Sequence, residues 1–244
     1  MPTSPQPVRT RIANLDCLEL RLPGDDPGAL TALCLHGYGA GMSDLAPLAH
    51  EMPLPPGSRW IFPNAPLTVP IGPFWTGSAW FPIDIAALER AMATGSHRDL
   101  SGAAPPELGN AREALLALMA AAGGSPSRWV LAGFSQGAMM ALEVALHLPI
   151  PPAALLLWSG TLLQADIWRA QLPKLAGIPV LQSHGRSDPL LAFEAAERLQ
   201  ALLSEAGCRC EFIGFEGGHE IPRRALERSA ALLKGLGAMT GGER

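Results

Sequence analysis

Short apolar runs alternate along the chain with stretches whose apolar residues recur every three or four positions, and turn-forming residues separate the two. Residues 9–22 alternate apolar with polar, most plainly over Leu18-Glu19-Leu20-Arg21-Leu22, which predicts a half-exposed strand near a sheet edge. Continuous apolar runs of strand length follow at 30–35, 129–132 and 153–158, and further short strands are expected at 59–62, 178–182 and 208–215. Such runs suit strands buried on both faces. Helical spacing is clearest in Leu108, Ala111, Leu115, Leu118, Met119 and Ala122, closed by Gly123-Gly124. Further helices are predicted over 84–94, 136–148, 190–206 and 222–236, the last with Pro222 at its first turn.

Strands alternating with helices through short connections predict an α/β fold, with a mainly parallel central sheet and helices on both faces. No internal repeat or linker divides the chain, so one domain over 1–244 is expected, with the proline-punctuated residues 1–8 loose. The segment 67–83 carries Phe74, Trp75, Trp80 and Phe81 among prolines and glycines. It reads as a loop whose rings line a cleft, with Trp75, Trp80 and Phe81 as substrate-wall candidates. The small, polar stretch 95–106 reads as a surface connection, and a small lid has room within 67–109.

Composition narrows the function. An apolar share of 48% against 16% charged residues supplies ample core, and a net charge of −4 leaves no footprint for nucleic acid or anionic lipid. No basic cluster exceeds the pair Arg223-Arg224. Cys17, Cys34, Cys208 and Cys210 lack zinc-site spacing and are expected as buried free thiols, so no metal is expected. The N-terminus lacks a signal-peptide core and no apolar run reaches membrane-spanning length, which points to a cytoplasmic protein, monomeric or homodimeric.

The chemistry centres on residues 129–139, where an apolar strand runs into Gly133-Phe134-Ser135-Gln136-Gly137 and then a helix. This is G-x-S-x-G in the strand–turn–helix setting that lifts a serine hydroxyl clear of a sheet edge. Gly133 and Gly137 stand where side chains would collide, and the Gln136 N–H falls at the helix N-terminus, which favours negative charge. A serine needs a base and an acid. Both should lie in later loops at C-terminal strand ends, and each such loop offers a candidate: Asp188 after the strand at 178–182, His219 after the last strand. Glu216 and Glu220 flank His219 as substitute acids if the Asp188 loop turned away. His36 and His184 read as structural hydrogen-bonders, His147 as a helix-end residue, His50 and His97 as surface residues, and Asp166 as solvated or capping. The second oxyanion donor, beside the Gln136 N–H, should come from the glycine-rich loop after 30–35, with the Tyr38 N–H best placed.

Six blocks in order then resemble one family: His36-Gly37-Tyr38-Gly39, residues 62–66, Ala79-Trp80-Phe81 with Asp84, residues 133–138, residues 184–188 and residues 217–222. The chain resembles the carboxylesterase/phospholipase family of small α/β-hydrolases, which includes the acyl-protein thioesterases and bacterial carboxylesterases. The resemblance implies Ser135, Asp188 and His219 as a triad, and the Tyr38 and Gln136 N–H groups as an oxyanion hole. It also implies hydrolysis of carboxylic esters, with thioesters or lysophospholipids in reach of the same parts, and no cofactor. Pro82 and Ile83 separate Phe81 from Asp84, where the family often has them adjacent, so acyl preference does not carry over. An apolar cleft without a basic surface favours a small ester with a short or medium acyl chain. The alternatives are a ligand-binding module without catalysis and a small peptidase or amidase. The latter would need a carboxylate pair for a substrate amino terminus, which the sequence does not reveal.

Overall fold

The computed structural model describes residues 6–238. Strands β1 (Val8–Ile12), β2 (Leu15–Arg21) and β3 (Thr31–Leu35) lead to the one-turn helix α1 (Leu48–Glu51) and β4 (Arg59–Pro63). A small hairpin of β5 (Leu67–Pro70) and β6 (Thr76–Ala79) precedes α2 (Ile85–Ala93) and α3 (Leu108–Ala122). The second half alternates: β7 (Trp129–Phe134), α4 (Gln136–His147), β8 (Ala154–Trp158), α5 (Ala165–Gln171), β9 (Pro179–Gly185), α6 (Phe193–Glu205), β10 (Arg209–Phe215) and α7 (Arg223–Ala238).

Eight strands form one sheet in the order β1-β2-β4-β3-β7-β8-β9-β10. From β4 to β10 all neighbours are parallel, and β2 runs antiparallel to both β4 and β1. The period of two along each central strand separates two cores. Leu33, Leu35, Leu131, Leu155 and Leu157 join the buried faces of α3, α4 and α6. Ala32, Cys34, Val130, Ala132, Leu156 and Trp158 join those of α1 and α7. Both faces are covered, which is why these strands read as unbroken apolar runs.

Three expectations change. The alternating segment 9–22 is a hairpin rather than one strand, because Ala13 takes φ 51° and reverses the chain. Val8 already pairs with Glu19, so residue 8 is not loose, while residues 1–5 lie outside the described residues. The segment 67–83 is not all loop, since β5 and β6 pair into a second, two-stranded sheet. Their four-residue length and glycine, proline and serine content hide the strand period.

Candidate active site

Ser135 joins the end of β7 to the start of α4 with φ 56° and ψ −119°, a conformation costly for a side-chain-bearing residue. Its N–H donates to the Trp158 carbonyl at 2.8 Å, which anchors the turn to β8. The packing around it leaves no space for side chains at the flanking glycines. A Cβ on Gly133 would overlap the Gly137 carbonyl, and one on Gly137 would overlap the Leu35 carbonyl at the end of β3. The strained turn is therefore over-determined by backbone packed on backbone.

The C-terminal ends of β9 and β10 deliver the two partners. His219 Nε2 lies 2.8 Å from Ser135 Oγ, and His219 Nδ1 lies 2.6 Å from Asp188 Oδ2. The loops carrying them are tied together, with Ser187 N–H donating to the Gly217 carbonyl at 3.0 Å and Arg186 N–H to the Phe215 carbonyl at 2.8 Å. A Cβ on Gly185 would overlap the Gly217 and Gly218 carbonyls. Asp188 is buried, which by itself disfavours its charge. Hydrogen bonds from His184, His219 and the Leu190 N–H outweigh that and hold its carboxyl below the usual carboxylate range. An ionised carboxylate only accepts, so His219 carries its proton on Nδ1 and presents a bare Nε2 to the Ser135 hydroxyl.

The Tyr38 and Gln136 side of the site is held by the loop after β3 and the second small sheet. Among the described residues neither the Tyr38 nor the Gln136 N–H donates to a protein acceptor. The buried Gln136 side chain accepts from the Trp80 N–H and donates to the Phe81 carbonyl, both at 2.8 Å. The loop bearing Tyr38 is stitched to β6, through Gly39 N–H to the Ser78 carbonyl at 2.8 Å and Ser78 N–H to the Ala40 carbonyl at 2.9 Å. His36 accepts from the Ala65 N–H on Nε2 at 3.1 Å and so donates from Nδ1 to the Gly37 carbonyl at 2.8 Å, the supporting role expected of it.

Ser135, His219, Tyr38 and Gln136 all border one cavity of about 350 Å³. Its apolar walls include Phe81 and Leu88, Leu100 and Pro105, and Met139 and Leu191. One wall thus comes from 81–105, inside the stretch 67–109 that has room for a lid. Among the described residues no group of three His, Cys, Asp or Glu side chains could hold a metal ion.

The family model described as Phospholipase/Carboxylesterase matches residues 21–235. The chain belongs to this family. It is 32% identical to an acyl-protein thioesterase 1 of Mycosarcoma maydis over 193 residues, covering 69% of this chain and 72% of that protein. It is 28% identical to the carboxylesterase SOBER1 of Arabidopsis thaliana over 207 residues, covering 83% and 88%. Among solved structures, that of esterase PE8 superposes with a TM-score of 0.70 at 29% identity, over 88% of this chain and 96% of that one. As in phospholipase/carboxylesterase relatives, the fold is an α/β-hydrolase fold.

In this phospholipase/carboxylesterase member, the three aromatics expected at the substrate wall separate. Phe81 lines the cavity. Trp80 is fully buried outside the lining, its indole N–H donating to the His36 carbonyl at 2.9 Å, so it supports the loop from behind. Trp75 is 72% exposed in the hairpin turn just before β6 and outside the cavity lining. His97 is not merely a surface residue, since its Nε2 donates to the Asp188 carbonyl at 2.8 Å. His184 keeps the structural part expected, donating from Nε2 to the Leu191 carbonyl at 3.0 Å. Glu216 and Glu220 are exposed, and it is Asp188 that meets His219 Nδ1. Met139 was missed, although its place one helical turn after Ser135 puts both on one face of α4. The wall at 95–106 left no such signal, because Leu100 and Pro105 meet the cavity only through the tertiary fold.

Proposed function

We propose that the protein hydrolyses carboxylic esters through an acyl intermediate on Ser135. The observation that carries this is the unbroken line from Ser135 Oγ through His219 to Asp188, at 2.8 and 2.6 Å, opening on an apolar cavity. Ser135 Oγ attacks the ester carbonyl carbon while its proton passes to His219 Nε2. Asp188 holds the ring in the required tautomer and offsets the imidazolium charge. The carbonyl oxygen becomes an oxyanion between the Tyr38 and Gln136 N–H groups, where one such donor typically contributes about 2.7–4 kcal/mol. As the intermediate collapses, the alcohol leaves with the proton from Nε2. Water then repeats the sequence on the acyl-enzyme, releasing the acid and restoring Ser135.

The size of the cavity and its apolar walls support short or medium acyl chains. A thioester would use the same groups, and relatives carry the names carboxylesterase and acyl-protein thioesterase. We further propose a single domain working in the cytoplasm as monomer or homodimer on a small ester, with no nucleic-acid partner, in keeping with its net charge of −4. Among the described residues no helix is long and apolar enough to cross a membrane.

A p-nitrophenyl ester panel from acetate to palmitate tests this reading. We expect kcat/KM to peak at roughly four to eight acyl carbons, for a cavity of this class. Ser135→Ala should lose about 10⁴-fold or more in kcat. A steady rise to palmitate would refute the chain-length reading, and full turnover by Ser135→Ala would refute the mechanism.

A further inference from the structure

We infer that the cavity beside Ser135 is built for an ester that carries a carboxylate, and that Arg98 is the residue that receives it; this rests on the ester-hydrolase reading above. Arg98 sits in the connection between α2 and α3 and lines the cavity together with Ser135 and His219. The Arg98 guanidinium is the fixed positive charge in a wall otherwise dominated by apolar side chains, with Asp84 also part of that wall. Its own partners are poor. Nη1 reaches the Asp84 carbonyl at 3.4 Å, and the buried Nε has no acceptor among the described residues. No carboxylate of the described residues lies within ion-pair distance of it. The neighbouring Asp99 pairs with Arg198 at 3.7 Å, and Asp84 Oδ1 caps α2 by accepting from the Ala87 N–H at 2.8 Å.

Burial works against the guanidinium charge, the nearby Asp84 supports it, and the group stays ionised in any case. A partly desolvated cation with an idle donor is an unfavourable element unless something completes it. The planar fork of the guanidinium matches a carboxylate. A single cation with Asp84 nearby suits one negative charge and disfavours a phosphate dianion. A purely structural Arg98, clamping the start of α2 through the Asp84 carbonyl, would leave charge selectivity untouched. That difference is what an experiment can read.

Two pairs of substrates locate the carboxylate. Monomethyl glutarate against methyl valerate places it in the acyl half, and the butyrate ester of γ-hydroxybutyrate against butyl butyrate places it in the alcohol half. Wild type should show a higher kcat/KM for the charged member of at least one pair. In Arg98→Leu the charged-to-neutral ratio for that pair should fall at least tenfold, and Arg98→Lys should fall between. Calorimetric binding of glutarate to the resting protein gives a readout without turnover, and should weaken at least tenfold in Arg98→Leu. Neutral esters cleaved with no charge preference, together with no Arg98-dependent glutarate binding, would overturn the inference and leave the hydrolase reading standing. Glutarate bound through Arg98 by a protein that cleaves no ester would support the anion site and overturn the hydrolase reading.

Discussion

His184 Nε2 lies 3.3 Å from Asp188 Oδ2, the same oxygen that His219 Nδ1 meets at 2.6 Å. His184 is buried, and its Nε2 also faces the Leu191 carbonyl, so it carries its proton there and donates toward both acceptors. The Asp188 carboxylate is thus held from two sides, by one ring that faces Ser135 and one outside the cavity lining.

This arrangement sets a pH dependence. The folded-state pKa of Asp188 is lowered from the ordinary 3.8, despite burial, by hydrogen bonds from His184, His219 and the Leu190 N–H. Its ionisation therefore stabilises the fold in full above the ordinary value, and that contribution is lost as pH falls through the folded pKa. Urea unfolding of wild type and Asp188→Asn should differ most near neutrality and converge as the pH drops below about 4. A gap that stays constant into acid would contradict the assignment.

Glu143 should matter for stability. It is buried on α4, accepting from Arg112 Nη1 at 2.9 Å and from the buried Trp168 indole N–H at 2.7 Å. Glu143→Leu strands both donors, and the orphaned indole alone should cost about 1–3 kcal/mol. Denaturant unfolding measures the loss; a variant as stable as wild type would refute the role.

Trp75 and Phe81 should behave oppositely. Trp75→Ala removes an exposed ring away from the cavity, and stability should change by no more than about 0.5 kcal/mol, with ester turnover kept. Phe81→Ala enlarges the cavity wall and should shift the acyl-length optimum upward in the p-nitrophenyl ester panel. An unchanged optimum would take Phe81 out of the acyl wall.

Gly137→Ala tests the turn. The added Cβ would press on the Leu35 and His36 carbonyls, which β3 holds in place. Overpacking of this kind costs typically about 1–3 kcal/mol, and rigid backbone puts this site at the upper end. Thermal unfolding should register the loss; an unaltered midpoint would mean that the turn can yield.

Much of this geometry was legible because the central strands are buried on both faces and so read as apolar runs. Residues 129–132 and 178–182 could therefore be placed in a parallel sheet, and the order of the chain left Asp188 and His219 in loops at the strand ends on the side of Ser135. Trp75 misled because an aromatic among turn residues fits a cleft wall and a hairpin tip equally well. Glu143 gave no signal, since a charge within a helix ordinarily faces water, and its partners Arg112 and Trp168 arrive from α3 and α5 only in the packed fold. Arg98 was hidden in the same way, in a small and polar stretch whose walling role depends on how it folds over α4.

The central claim is that one hydroxyl among many is made reactive by its imidazole and carboxylate neighbours. The direct measurement is reaction with a fluorophosphonate, followed by peptide mass mapping of wild type and Asp188→Asn. We predict a single phosphonylated residue, Ser135, formed rapidly in wild type and at least a hundredfold more slowly in the variant. Labelling at another residue, or Ser135 labelling that is indifferent to Asp188, would contradict the account.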